Sequence, residues 1–339
     1  MTDGLQLGVF AHFAEEDDAE GGAYEEFLDL FTHAERLGFA SAWVRQFHLQ
    51  SSDGRRAGGL PSPFVFLGAL AARTETLRLG TAAVTLPLES VVRVAEDAAV
   101  LDVLSGGRVE LGVANGGGMP GLAEAFGRTI ADDAEEQRSV YRRDLGALEG
   151  ALRGATLNGN GDTLFPPRSS LGDRIWEATL TDRSARLAAR AGHGVLIGTT
   201  QTIPAEVTAA AYVEALPDGA APRIGLSTLI YPAKDRETGL REAEAGILRK
   251  WAWGEGFLPP ATTLAEKAAS LNIHYGAPAD LVESIASQPA FPLATQLQVQ
   301  VELLYSSFTA RHDALESFVT EVAPALGWVR AGARAEVLA

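Results

Sequence analysis

The stretch Thr74-Glu75-Thr76-Leu77-Arg78-Leu79-Gly80-Thr81-Ala82-Ala83-Val84-Thr85-Leu86-Pro87, followed by Val92-Arg93-Val94-Ala95-Glu96-Asp97 and Leu101-Asp102-Val103-Leu104-Ser105-Gly106-Gly107-Arg108, decides the fold. Its first part is an apolar run of strand length, its second has helical period, and the glycine pair turns the chain back toward another strand. Together they make one β-α unit of an alternating architecture.

The same alternation runs through the rest of the chain about eight times. Strands are predicted near 7–13, 41–47, 77–86, 109–115, 174–180, 194–198, 223–231 and 296–304. Helices are predicted near 24–37, 63–74, 91–104, 134–152, 182–191, 204–216, 237–251, 279–287 and 309–326. Gly38 and Gly192 stand where left-handed helix caps are wanted. Eight parallel strands separated by helices most simply close a (β/α)8 TIM barrel, predicted here as a single domain over 1–339. Two long interruptions, 157–172 and 254–292, are expected as insertions at the C-terminal face of the barrel, where active-site loops sit.

Composition sets the outer limits. The chain has 339 residues, 46% of them hydrophobic, enough to bury a large core. No apolar run approaches the roughly 20 residues of a membrane helix, and the first residues lack a signal-peptide pattern, so a cytoplasmic protein with no membrane partner is expected. The absence of cysteine excludes disulfides and thiolate chemistry. A formal net charge of −16 argues against nonspecific nucleic-acid binding. No histidine and carboxylate set has metal-ligand spacing, so no metal is inferred.

In such a barrel the chemistry comes from strand C-terminal ends and the loops after them. That nominates His12, Gln46, Phe47 and His48, the segment 81–85, and Asn115-Gly116-Gly117-Gly118. His48 ends an aromatic-rich strand at the barrel mouth, a position suited to a planar ligand. Gly116 and its neighbours permit close backbone approach to a ligand, or simply a tight turn. After the fifth strand, Thr181-Asp182-Arg183-Ser184 offers hydroxyls, an arginine and helix N-terminal amides, as a phosphate requires; ordinary capping by Thr181 or Ser184 explains part of the group. His33 and His312 are expected as surface residues.

The segments 34–44, 61–83 and 95–112, then Phe126-Gly127, Ala188-Ala189-Arg190-Ala191-Gly192, Tyr275-Gly276-Ala277-Pro278 and 318–326, resemble the bacterial luciferase-like monooxygenase family in order along the chain. The resemblance implies an FMN-dependent oxidoreductase, a flavoprotein monooxygenase that uses reduced FMN and O2 on a small-molecule organic substrate. It implies a non-proline cis peptide at Ala82-Ala83 beneath the flavin ring, a flavin-facing Asn115, and phosphate-binding hydroxyls at Thr181 and Ser184. Reduced flavin would come from a separate flavin reductase, and the protein would form a homodimer through helices two and three, where Leu67-Gly68-Ala69-Leu70-Ala71-Ala72 lies. The family's Glu-His-His at the end of strand two is replaced by Gln46-Phe47-His48, and its strand-four thiol by Ala114, so light emission from an aldehyde is not expected. His48 remains a candidate acid/base or flavin-contact residue. Alternatives are a deazaflavin-dependent hydride-transfer enzyme, a flavin-binding protein without turnover, and a phosphosugar enzyme, the last lacking a visible acid/base pair.

Overall fold

A computed structural model describes residues 4–13, 23–49, 59–116, 120–129, 133–199, 203–254, 258–301, 304–305 and 307–330. Its strands are β1 (Gln6–Ala11), β2 (Ser41–Val44), β3 (Arg78–Thr81), β4 (Val84–Thr85), β5 (Val109–Ala114), β6 (Ile175–Ala178), β7 (Gly194–Ile197), β8 (Ile224–Pro232), β9 (Ile273–Gly276) and β10 (Gln296–Gln300). The helices are α1 (Ala23–Leu37), α2 (Pro63–Ala71), α3 (Val91–Leu104), α4 (Pro120–Ala125), α5 (Ala134–Leu152), α6 (Asp182–Ala191), α7 (Ala205–Ala215), α8 (Arg236–Glu242), α9 (Glu244–Gly254), α10 (Leu264–Ser270), α11 (Pro278–Ala286) and α12 (Phe308–Ser317).

All strand pairings are parallel, and β10 pairs with both β1 and β8, which closes the sheet. The barrel therefore runs β1-β2-β3-β5-β6-β7-β8-β10, a (β/α)8 barrel as the alternation predicts. Side chains alternate across each strand. Leu7, Val9, Ala42, Val44, Leu297 and Val299 point outward into the main core beneath the helices. Phe10, Trp43, Trp176 and Leu196 point inward and form a separate apolar plug.

Two tryptophans fill the lumen, with rings edge to face at 5.3 Å. Glycines on neighbouring strands make room for them. A Cβ on Gly80 would lie 2.2 Å from the Trp43 ring, and one on Gly194 would lie 2.4 Å from the Trp176 ring. The indole N–H groups are satisfied inside: Trp43 donates to Ser41 Oγ at 2.8 Å and Trp176 to Glu110 Oε2 at 2.7 Å. Gln296, Gln298 and Gln300 alternate with outward Leu297 and Val299, so one wall of the lumen is polar.

The N-terminal end of the barrel is tied by two arginines. Arg108 donates to the carbonyls of Ala71, Thr74, Leu77 and Ser105 and to the Thr74 hydroxyl. Arg174 grips the buried Asp102 carboxylate at 2.9 and 3.0 Å and donates to the Gly107 and Val109 carbonyls.

Several expectations are corrected. The third strand does not run unbroken through 77–86: it stops at Thr81, resumes as β4 after a cis peptide at Ala82-Ala83, and passes into a 3-10 turn over Leu86–Leu88. The segment 237–251 is two helices, α8 and α9, parted at Ala243. The insertion 157–172 lies at the N-terminal end, not the C-terminal face. It connects a helix to the next strand, and such connections return to the strand starts; Arg168 reaches Asp102 there at 3.8 Å. The segment 254–292 does follow the C-terminal end of a barrel strand. It holds α10, α11 and the unanticipated β9, which extends the sheet along the last four residues of β8. His33 and His312 stack on each other at 4.6 Å.

Candidate active site

The strands end in a second inward layer directly above the tryptophan plug. Phe10 pairs with Trp43 in the β1–β2 ladder, and the chain continues extended beyond it, with Arg45 N–H donating to the Ala11 carbonyl at 3.4 Å. One step further, His12 and Arg45 stand above Phe10 and Trp43. On the other side Trp43 pairs with Gly80, and Ala82 N–H donates to the Val44 carbonyl at 2.7 Å, which brings Ala82 beside Arg45. His12, Arg45 and Ala82 thus form the floor of the mouth.

Ala82 packs on the plug and Ala83 is buried, so the cis step presents two small side chains. Asn115 follows β5, half-buried, and Gly116 turns the chain with φ +71°. A Cβ on Gly116 would lie 2.5 Å from the Thr85 methyl group. Gly117 and Gly118 lie outside the described residues.

Across the mouth, Thr181 caps α6, accepting from Ser184 N–H at 3.2 Å and donating to Ser184 Oγ at 3.0 Å. The buried Thr179 hydroxyl just before it has no hydrogen-bond partner among the described residues. The Thr181 and Ser184 hydroxyls and the opening amides of a ten-residue helix therefore lie together. Arg183 is brought only partly to this place. Its guanidinium forms a bidentate pair with Glu135 of α5 at 2.7 Å to each oxygen, leaving its backbone N–H on the site side.

His48 is buried on the loop after β2, with Phe126 edge-on at 4.6 Å. Its Nε2 lies 3.7 Å from Glu89 Oε1, beyond hydrogen-bond reach, and is otherwise unsatisfied. Glu89 also accepts from Gln46 Nε2 at 2.7 Å, and Gln46 Oε1 accepts from Thr85 N–H at 2.8 Å. Glu89 therefore fixes the amide that ties the end of β2 to β4 beside the cis peptide.

Burial pushes the His48 proton affinity below the usual histidine value, and the Glu89 carboxylate opposes this without cancelling it. His48 is therefore held toward its neutral form. Removing the negative charge with Glu89→Gln is expected to move the His48 titration to still lower pH, read by NMR of the ring carbons. An unchanged or raised midpoint would show that Glu89 does not act on His48. His12 is held neutral more strongly, by burial first and then by the cations of Arg45 and Lys250.

Three of these residues escaped the sequence reading. Glu89 stands just after strand three, between the quoted strand and helix pieces that decided the fold. Arg45 shares the inward face of Ser41, Trp43 and Phe47, and alternation alone carries it into the mouth. Lys250 lies on α9, within the helix predicted over 237–251, and a lysine on a helix reads as a solvated residue.

The fold and the layered mouth define a barrel of the luciferase-like class. The model of the luciferase-like monooxygenases matches residues 5–286, and the chain belongs to that family. An uncharacterised protein of Sinorhizobium fredii, y4wF, is 35% identical over 199 residues, 56% of this chain and 55% of that protein. The chain spans about half the length of the curated relatives it matches. The monooxygenase RslO1 of Streptomyces bottropensis shares the fold with TM-score 0.74 and 23% identity, over 94% of this chain and 99% of that one. The oxygenating constituent of 3,6-diketocamphane monooxygenase from Pseudomonas putida, solved in complex with FMN, does so with TM-score 0.73 and 17% identity, over 95% and 98%.

Proposed function

We propose that the protein is a flavin-dependent monooxygenase that takes up reduced FMN, uses O2, and oxidises a small organic substrate. The observation that carries this is the pair of small side chains at Ala82 and Ala83, set between the plugged lumen and the hydroxyl-lined start of α6. A planar ring would lie on the small side chains of Ala82 and Ala83 beside Asn115 and Gly116. Its phosphate would reach the Thr181 and Ser184 hydroxyls and the Arg183 amide at the start of α6. When bound, reduced FMN supplies the electrons that let one oxygen atom enter the substrate while the other leaves as water.

The chain's own residues orient and protect. The tryptophan plug closes the barrel from below and keeps water away from the ring face. His48, neutral and unsatisfied at Nε2, is placed to accept a proton there, with Phe126 fixing the plane of its ring. Among the described residues no helix is long and apolar enough to cross a membrane. Reduced flavin would come from a separate reductase, as the description of the diketocamphane enzyme as an oxygenating constituent supports.

A homodimer through α2 and α3 belongs to the same proposal. Leu67, Leu70 and Ala71 turn inward, but Val65 is 73% exposed on α2 and Leu104 70% exposed on α3, with Val100 and Val103 beside it. Apolar groups of that size gain by burial against a second copy.

The deciding experiment is an anaerobic titration with reduced FMN, oxidised FMN and a deazaflavin, followed by oxygen and a substrate panel. Reduced FMN is expected to bind best, and substrate to be oxidised only with oxygen. Preference for the deazaflavin would assign hydride transfer instead, and binding of none of the three would end the flavin proposal.

A further inference from the structure

Arg45 is not needed to hold the barrel together. Its guanidinium lies over the Phe47 ring, 4.4 Å from the centroid, and among the described residues it forms no ion pair. It is open to solvent through the mouth yet ringed by protein, and burial brings it down to about 10, still fully charged at neutral pH. In a chain with a formal net charge of −16, an inward arginine lacking a carboxylate partner stands out.

Among the described residues, the groups that act on the same place are cationic, aromatic or histidine. Arg45 and Lys250 together depress the protonation of His12, so both cations act on the same small volume. Lys250 comes from α9, after β8, and is itself buried. Phe10, His12 and Phe47 form a continuous aromatic wall, with His12 5.0 Å from Phe10 and 6.1 Å from Phe47 between ring centroids.

The two halves of the mouth therefore differ. The half over β3, β5 and β6 carries the small side chains and hydroxyls assigned above to the flavin. The half over β1 and β2 carries, among the described residues, the aromatic wall and the Arg45 guanidinium. We propose that Arg45 anchors the carboxylate of an anionic substrate whose apolar body lies along Phe10, His12 and Phe47. This rests on the flavin assignment only in deciding which half is left to the substrate. A guanidinium matches a carboxylate with two parallel hydrogen bonds, and the stacking on Phe47 keeps its plane fixed for them. Neutral His12 adds a donor or acceptor without adding charge.

The test compares phenylacetate with phenylacetamide and octanoate with octanamide, by equilibrium dialysis against the apo chain and the FMN-loaded chain. The carboxylates are expected to bind at least about tenfold more tightly than the amides, the worth of one charge-assisted pair. Arg45→Gln is expected to erase that ratio and leave FMN affinity unchanged, and Arg45→Lys to keep part of it. Equal binding of acid and amide by the wild type, or no binding of either acid, would overturn the proposal. So would a ratio that survives Arg45→Gln, or a loss confined to FMN affinity, which would assign Arg45 to the flavin. If the wild type takes up no flavin, the proposed function fails while the acid-to-amide ratio of the apo chain still decides the role of Arg45.

Discussion

Alanine at Gly112 is expected to cost about 3 kcal/mol or more of stability, and to leave little folded protein at 37 °C. The added Cβ would lie 1.9 Å from the Thr81 carbonyl oxygen, a backbone atom held between two paired strands, and 3.1 Å from Leu196. Nothing there can turn aside. Thr81 Oγ1 donates to the Gly112 carbonyl at 2.7 Å and accepts from its N–H at 2.9 Å, so the strands are bolted at the very point where the clash falls. Gly80→Ala meets the Trp43 ring instead, a side chain with some freedom, and is expected to cost less. Gly146, with open space around its Cβ position on α5, serves as control: alanine there is expected to be neutral or to stabilise by up to about 1 kcal/mol. Equilibrium urea denaturation ranks the three. A stable Gly112→Ala protein would mean that β3 and β5 do not meet as described.

FMN is expected to bind on the order of 100-fold more tightly than riboflavin, which lacks only the phosphate. Two charge-assisted hydrogen bonds at about 1.5 kcal/mol each account for that ratio. Ser184→Asp is the informative variant. A carboxylate at the third position of α6 favours the helix, because it faces the positive end of the dipole. The same carboxylate repels a phosphate dianion. The protein is therefore expected to fold as well as the wild type while FMN falls to the affinity of riboflavin, both read anaerobically by fluorescence. Arg183→Ala is a milder change, because the Arg183 guanidinium is already committed to Glu135. Equal affinities for FMN and riboflavin in the wild type would remove the phosphate site from α6.

The barrel was legible in the sequence because its signal is repetitive: strand-length apolar runs and helical periods alternate, and each supports the next. His12 was legible because it follows the C-terminal end of a strand. Arg45, at the end of β2, was missed because an arginine reads as a solvated surface residue unless its neighbours' inward direction is carried one step past the ladder. Glu89 was missed because its partners, Gln46 and His48, come from a different strand end, and composition says nothing of such pairings. The misplacement of 157–172 has a topological cause. Length and glycine content mark a loop, but only its place between helix and strand says which end it occupies. The split of 237–251 at Ala243 left no trace, since alanine favours a helix.

The separation of the two barrel ends has a practical side. Arg108, Arg174 and Asp102 lock the strand starts with bonds that involve none of the mouth residues. The loops of the working end can then be exchanged or lengthened without loosening the frame beneath them. A designer seeking a new substrate would rebuild the segments after β8 and leave the arginine lattice untouched, and would attach a tag or solid support through 157–172, at the opposite end of the barrel from the mouth.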